Sequence, residues 1–365
     1  MGSEERTEPS RPASETLRVA DRTAPVAPLI GIAVIASALG IALGLIIDWF
    51  PVAASTQANS IDTFYDVLII ASVPVFVLVS SVVLYSAYRF RMRPGEENMD
   101  GPPIHGNTRL EVVWTIIPAA LMLGLCTYAY VELNNAEKAP AASAARPELN
   151  VRVVGEQFTW TFFYKGTGGK QISSPQLYLP KDRSVRFTVQ TKDVLHDFWV
   201  PAFRWKIDAV PGINTHYRVT PNRLGNYAVV CAELCGLGHA TMRQTAHVMT
   251  EQGFQSWLSK KQSGGASGTG GGGGAAPNGK ALFTSAGCVA CHTLSDAGAT
   301  GTTGPNLDQV LKGKDATFIK TSIVDPNAFI AKGYTPGIMP SNFKDTLQPA
   351  EIDALVKYLK DTTNG

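Results

Sequence analysis

Three long apolar runs constrain this chain more than anything else in it. Leu29 to Ile47 holds nineteen residues without a charge, Phe64 to Tyr88 forms a second run and Val112 to Val131 a third. A stretch of about twenty apolar residues is what a helix needs to cross a bilayer, so the first third of the chain reads as a membrane part. Residues 1–28 ahead of it are polar, without periodicity, and read as a disordered tail. The run at 29–47 has two readings, a signal-peptide core followed by the small residues Ala53, Ala54 and Ser55, or an extra transmembrane helix. Its length favours retention. The second run, with Pro74 inside it, ends at Arg89, Arg91 and Arg93, which marks a cytoplasmic end. The third run, expected as a helix over 110–133, then returns the chain to the outer face.

Beyond the membrane part the pattern changes. Asn134 to Pro147 is a linker rich in Ala and Pro, and from Leu149 to Thr250 short alternating segments such as Val185, Phe187 and Val189 are separated by Gly, Pro and Asn. That spacing predicts an all-β antiparallel sandwich or barrel, closed by a short helix with Phe254, Trp257 and Leu258 on one face, so that the domain spans 149–262. Residues 263–276 are almost wholly Gly, Ala, Ser and Thr, a flexible linker with a typical span of about 20 Å. The rest, 277–365, ends in a helix with Ile352, Leu355, Val356 and Leu359 at helical spacing. The formal net charge is only +2 and no basic cluster is present, which argues against a nucleic-acid partner.

Two cysteine motifs carry the chemistry. Cys231, Cys235, His239 and Met242 fall within twelve residues and, with His196 upstream, offer a soft ligand set suited to copper and poorly suited to magnesium or calcium. The main-chain carbonyl of Glu233 would complete a dinuclear centre. The competing reading is a Cys231–Cys235 disulfide, which leaves His239 and Met242 unexplained. Downstream, Cys288-Val289-Ala290-Cys291-His292 is the attachment motif for a covalent c-type haem. Met339, in Gly-Ile-Met-Pro, offers a sixth iron ligand, or is a core residue. A structural zinc reading lacks a full ligand set. His and Met together raise the iron potential and fill both axial positions, which suits electron transfer.

These motifs resemble subunit II of the haem-copper cytochrome c oxidases, joined to a class I cytochrome c from about Pro277. The resemblance implies a multidomain chain: a transmembrane helical hairpin, a cupredoxin-like β domain and an all-α cytochrome c domain. It implies CuA ligands at His196, Cys231, Glu233 (main chain), Cys235, His239 and Met242, and haem ligation through Cys288, Cys291, His292 and Met339. It further implies that Glu233 reaches a magnesium shared with subunit I, that Asp208 helps to order that interface, and that Glu111, in its Glu-x-x-Trp-Thr context, takes up protons. In the family a tryptophan in an aromatic cluster receives electrons from cytochrome c. Phe158 stands at the matching position here and Trp160 at the next aromatic, a departure that points to a different donor surface. The implied partners are oxidase subunit I and the other oxidase subunits, a quinol-oxidising complex or small cytochrome c as donor, and the plasma membrane of a bacterium, with both soluble domains on its outer face. Oxygen would be reduced to water in subunit I with proton translocation. The alternatives are the CuA subunit of a nitric oxide reductase and a membrane-anchored copper chaperone.

Overall fold

A computed structural model describes residues 26–91, 106–138, 146–263 and 278–364. The tail before Val26 and the Gly-rich segment 264–277 lie outside them. Three helices, α1 (Val26–Ile46), α2 (Ala58–Arg89) and α3 (Thr108–Ala136), are long and apolar enough to cross a membrane. α1 lies against α2 through two small residues one turn apart. A Cβ on Gly40 would stand 2.9 Å from Val73, and one on Gly44 2.7 Å from Ile69, the close helix approach that a Gly-x-x-x-Gly spacing permits. α2 starts well before the apolar run at Phe64, because its first turns carry Asn59, Ser60 and Asp62 and serve another purpose. Asp62 forms a two-pronged ion pair with Arg204 at 2.6 and 3.0 Å, while Ala54 N–H donates to Ala202 O at 2.8 Å. These contacts stitch the head of the helix to the β domain.

That domain has ten strands: β1 (Leu149–Glu156), β2 (Thr159–Lys165), β3 (Gln171–Ser174), β4 (Leu177–Pro180), β5 (Val185–Thr191), β6 (His196–Trp199), β7 (Lys206–Ala209), β8 (Thr215–Val219), β9 (Gly225–Cys231) and β10 (Arg243–Met249). They form two five-stranded sheets, ordered β3-β2-β1-β5-β8 and β4-β10-β9-β6-β7. Alternation does the sorting. In β5, Val185, Phe187 and Val189 are buried while their neighbours are partly exposed. Trp160, Phe162, Phe187 and Phe198 fill the space between the sheets. The expectation of a purely antiparallel arrangement needs correction, since β1 pairs β5 and β4 pairs β10 in parallel. Short-range turn signals report hairpins, and a parallel pair needs a crossover that leaves no local mark. α4 (Glu251–Gln262) follows, its start capped by Thr250 and its Phe254 and Trp257 buried.

The C-terminal region is built from short helices: α5 (Gly279–Ser285), a two-residue ladder of β11 (Thr293–Leu294) with β12 (Ala299–Thr300), α6 (Leu307–Val310), α7 (Ala316–Val324), α8 (Phe343–Thr346) and α9 (Pro349–Asn364). Asn278, Asn306 and Asp315 cap the starts of α5, α6 and α7. The crossing of α5 over α9 depends on Gly279, where any Cβ would run into Tyr358 and the Ala354 carbonyl. Ile352, Leu355, Val356 and Leu359 face the interior from α9.

Candidate metal centre and haem cavity

Strand register builds the metal centre. β6 pairs β9 with Phe198 opposite Cys231, so His196, at the start of β6, arrives beside the end of β9. The chain then loops through Cys235, makes a 3₁₀ turn at His239–Thr241, and re-enters the sheet as β10. Cys231 N–H closes the loop by donating to Met242 O at 3.2 Å. The donors converge: Cys231 Sγ lies 3.9 Å from Cys235 Sγ, 3.9 Å from His196 Nδ1 and 3.2 Å from the Glu233 carbonyl. Cys235 Sγ lies 3.6 Å from His239 Nδ1 and 3.8 Å from Met242 Sδ. Both thiols are free, so there is no disulfide here. His196 and Met242 are fully buried. Five side chains and one carbonyl with this softness fit copper.

Hydrogen bonds hold the ligands in place. His196 Nε2 is 2.8 Å from Asp193 Oδ1, which leaves Nδ1 facing the sulfurs, and Gln157 Nε2 donates to Cys235 O at 2.5 Å. Burial would raise the Asp193 carboxyl, but hydrogen bonds from Gln157 N–H, His196 and Val194 N–H outweigh it and hold it below the usual range. Burial would likewise lower His196, and contacts with Cys231 and Asp193 reverse the sign. The two thiols differ. Burial opposes ionisation of Cys231, but His196 and the Asp197 and Glu233 backbone overcome it, whereas burial and the neighbouring Cys231 push Cys235 up to about 12.

Cys288, Cys291, His292 and Met339 line one cavity of about 700 Å³, together with apolar side chains such as Phe283, Leu355 and Leu359. His292 Nδ1 sits 2.9 Å from Pro305 O, so Nε2 is the nitrogen left for iron. Burial lowers the His292 pKa, keeping the ring neutral as a ligand must be. Gly304 lies flat against this ring, and a Cβ there would stand 2.7 Å from its Cε1. Burial raises both thiols, Cys288 to about 12. The volume, the two thiols, the imidazole and the thioether fit a covalently attached haem.

The β domain contributes to the same cavity through Phe158, Thr159, Thr241, Arg243 and Gln244. Phe158 is buried, and its ring covers the metal loop so closely that a Cβ on Gly238 would fall 2.6 Å from its Cγ. Phe158 therefore touches the metal loop on one side and the haem cavity on the other. Trp160 has no exposed surface and packs behind the site, its ring 5.8 Å from that of His196.

The remaining candidates are scattered. Glu111 lies in the first turn of α3, exposed, and its Oε1 accepts from Asn107 N–H at 3.3 Å while Asn107 Oδ1 accepts from Leu110 N–H at 3.2 Å, a reciprocal cap. Asp208 is exposed on β7, and its carbonyl accepts from Thr215 Oγ1 at 2.6 Å. Asp197, Asp208 and Glu233 all raise the Lys206 pKa, and Lys206 pairs with Asp197 at 2.8 Å. Sequence reading passed over Asp193, Gln157, Thr241 and Gly238. Only Asp193, three residues before His196, was within reach of local inspection.

A β domain with a soft dinuclear ligand set, joined to membrane helices and a haem-binding module, defines a membrane electron-transfer protein. Three family models match in order along the chain: cytochrome c oxidase subunit II, transmembrane domain, over residues 41–131; its periplasmic domain over 171–248; and cytochrome c over 276–363. The chain is 32% identical over 261 residues to cytochrome c oxidase subunit 2 of Thermostichus vulcanus, covering 58% of this chain and 78% of that relative. It is 30% identical over 308 residues to the subunit 2 of Alkalihalophilus pseudofirmus, covering 81% and 86%. The crystal structure of the periplasmic domain of subunit II of cytochrome oxidase from Bradyrhizobium japonicum aligns at 27% identity with a TM-score of 0.31, covering 34% of this chain and 98% of that one. The chain belongs to the cytochrome c oxidase subunit II family, with a cytochrome c domain fused at its C-terminus. It is a membrane-embedded component of an oxidoreductase complex, associated with other oxidase subunits, and its two soluble domains imply a CuA copper centre and a haem. Copper-chaperone and nitric oxide reductase readings give way to this one.

Proposed function

We propose that electrons come in at a haem held by Cys288, Cys291, His292 and Met339 and pass to a dinuclear copper centre. That centre would be held by His196, Cys231, the Glu233 carbonyl, Cys235, His239 and Met242, and subunit I, where O2 is reduced with proton translocation, would receive the electrons. The observation that carries the reading is the convergence of all six copper donors beside a cavity lined by all four haem-binding groups, with Phe158 in both walls. When bound, the copper pair and the haem supply one-electron carriers. The protein residues hold and shield them. Asp193 and the Pro305 carbonyl fix the rings of His196 and His292, and burial of Met242 keeps water from the sulfurs. Ligands set on strand ends rearrange little when charge changes, which favours fast transfer.

In this reading Phe158 replaces the family's tryptophan at the point where electrons arrive, and the donor it faces is the chain's own haem. Trp160 supports it from within the core. Glu111 takes up protons at the cytoplasmic end of α3, and unchanged turnover and pumping in Glu111→Ala would end that part. The Glu233 carboxylate gives one ligand to a magnesium shared with subunit I, and Asp208 orders that interface. The haem is reduced by a quinol-oxidising complex or a small cytochrome c, on the outer face of a bacterial plasma membrane. α1 is retained as a membrane helix, supported by its close packing on α2.

The test is combined optical and electron paramagnetic resonance spectroscopy of the purified complex. A mixed-valence signal shared over two copper nuclei, beside a low-spin His-Met haem spectrum, is expected. Haem without dinuclear copper would sink the reading.

A further inference from the structure

The haem module does not merely hang from its Gly-rich segment. Lys261, on the last turn of α4 just before that segment, points its Nζ at Glu351 on the first turn of α9, with contacts of 2.9 and 3.1 Å. Both side chains are buried, 4% and 1% exposed. Glu351 also accepts from Gln348 N–H at 2.8 Å, so its carboxylate is oriented before it meets the lysine. Around the pair runs a polar seam. Asn342 Nδ2 donates to Thr161 Oγ1 at 2.9 Å, Gln176 Nε2 to Ser285 O at 2.5 Å, and Ser173 Oγ to Asp345 O at 2.7 Å. Ile338, next to the proposed iron ligand Met339, packs into the core of the copper domain while Met339 packs into that of the haem module.

Burying one charged pair contributes little net stability, because desolvation offsets the attraction; its recognised value is in selecting one arrangement over others. A module sliding by one turn along this face would leave Lys261 or Glu351 buried alone. What the register delivers is specific. It places Cys291 and Thr241 in the wall of one cavity. Thr241 precedes Met242 and sits in the 3₁₀ turn that begins at His239, with its Oγ1 bonded to Gly238 O at 2.7 Å. One residue thus joins the haem attachment point to two proposed copper ligands.

We propose that Lys261 and Glu351 are positioning residues for haem-to-copper transfer: their ion pair latches the haem module in the single register that sets Cys291 and Thr241 in the wall of one cavity. The proposal deepens the electron-transfer reading above and rests on it.

The test places a protease site within residues 264–277 of the full-length subunit, in the detergent-solubilised oxidase. After cleavage, gel filtration follows the haem module by its absorbance and by protein stain. The wild-type module is expected to stay with the complex. Glu351→Gln, which leaves a buried lysine unpaired, should weaken retention by about a hundredfold. Lys261→Met with Glu351→Leu, which removes both charges, should restore it. In the uncut Glu351→Gln protein, the enhancement of copper spin relaxation by the nearby haem should fall while both cofactor signals persist, which separates misplacement from misfolding. Release of the wild-type module on cleavage, full retention by Glu351→Gln, or failure of the double variant to restore binding would each overturn the latch. Absence of haem or copper in the wild-type protein would count against the electron-transfer reading instead, since retention is still read by stain.

Discussion

In the copper domain the proposed ligands sit on β6, at the end of β9, or in the loop that β9 and β10 hold closed, and those strands are paired on both sides. In the haem module the proposed ligands line a cavity of about 700 Å³ between short helices. The sheet therefore sets the copper geometry before metal arrives, with Asp193 and Gln157 bracing it from behind. The module's apolar side chains, by contrast, face a space that its cofactor is sized to fill. One site is a scaffold that receives its metal. The other counts its cofactor as core.

That contrast can be broken in order of expected effect. Cys288→Ala with Cys291→Ala should abolish cooperative unfolding of the haem module, since helices this short cannot close over so large a cavity, while the copper domain keeps its own transition. Calorimetry of the two transitions decides; a haem-free module that still melts cooperatively would refute the difference. Cys235→Ser comes next. The dinuclear signal should vanish and turnover fall by orders of magnitude, yet the β domain should lose no more than about 1–2 kcal/mol, as denaturant titration would show. Collapse of the domain instead would mean that metal builds the scaffold.

Gly238→Ala probes the boundary between the two sites. Its Cβ would press on Phe158, costing about 1–3 kcal/mol of strain and slowing haem-to-copper transfer severalfold in flash-photolysis traces, with haem content unchanged. The smallest effect concerns pH. Burial and the neighbouring Cys231 push the Cys235 thiol up to about 12, so copper must displace its proton. Protonation competes with metal, so affinity should rise with pH across the neutral range, by about tenfold per unit for one proton released. Loading of the copper-free subunit between pH 6 and 8 measures it, and a flat profile would contradict it.

Much of the proposed copper ligand set was legible because Cys231 to Met242 fall in one short segment whose spacing is itself the signal. His196 was legible as a candidate only. Its arrival beside Cys231 depends on the β6–β9 register, across a separation of 35 residues. The head of α2 was hidden because its polar first turns bind the β domain and carry no apolar signature, and the parallel pairs were hidden because crossovers leave none. Gly40 and Gly44 were readable as a helix-packing spacing and went unread. Phe158 shows the opposite case: sequence marked its oddity, and only the structure places it both in the cavity wall and against Gly238 of the metal loop.

Sequence by itself determined the membrane runs, the alternating domain, both metal-binding motifs and the family, because apolar length, alternation and ligand spacing are properties of neighbouring residues. Tertiary structure alone decided that Lys261 meets Glu351 across 90 positions and Asn342 meets Thr161 across 181. Contacts of that range follow from how finished faces pack, and the same side chains on a differently docked module would read identically in the sequence.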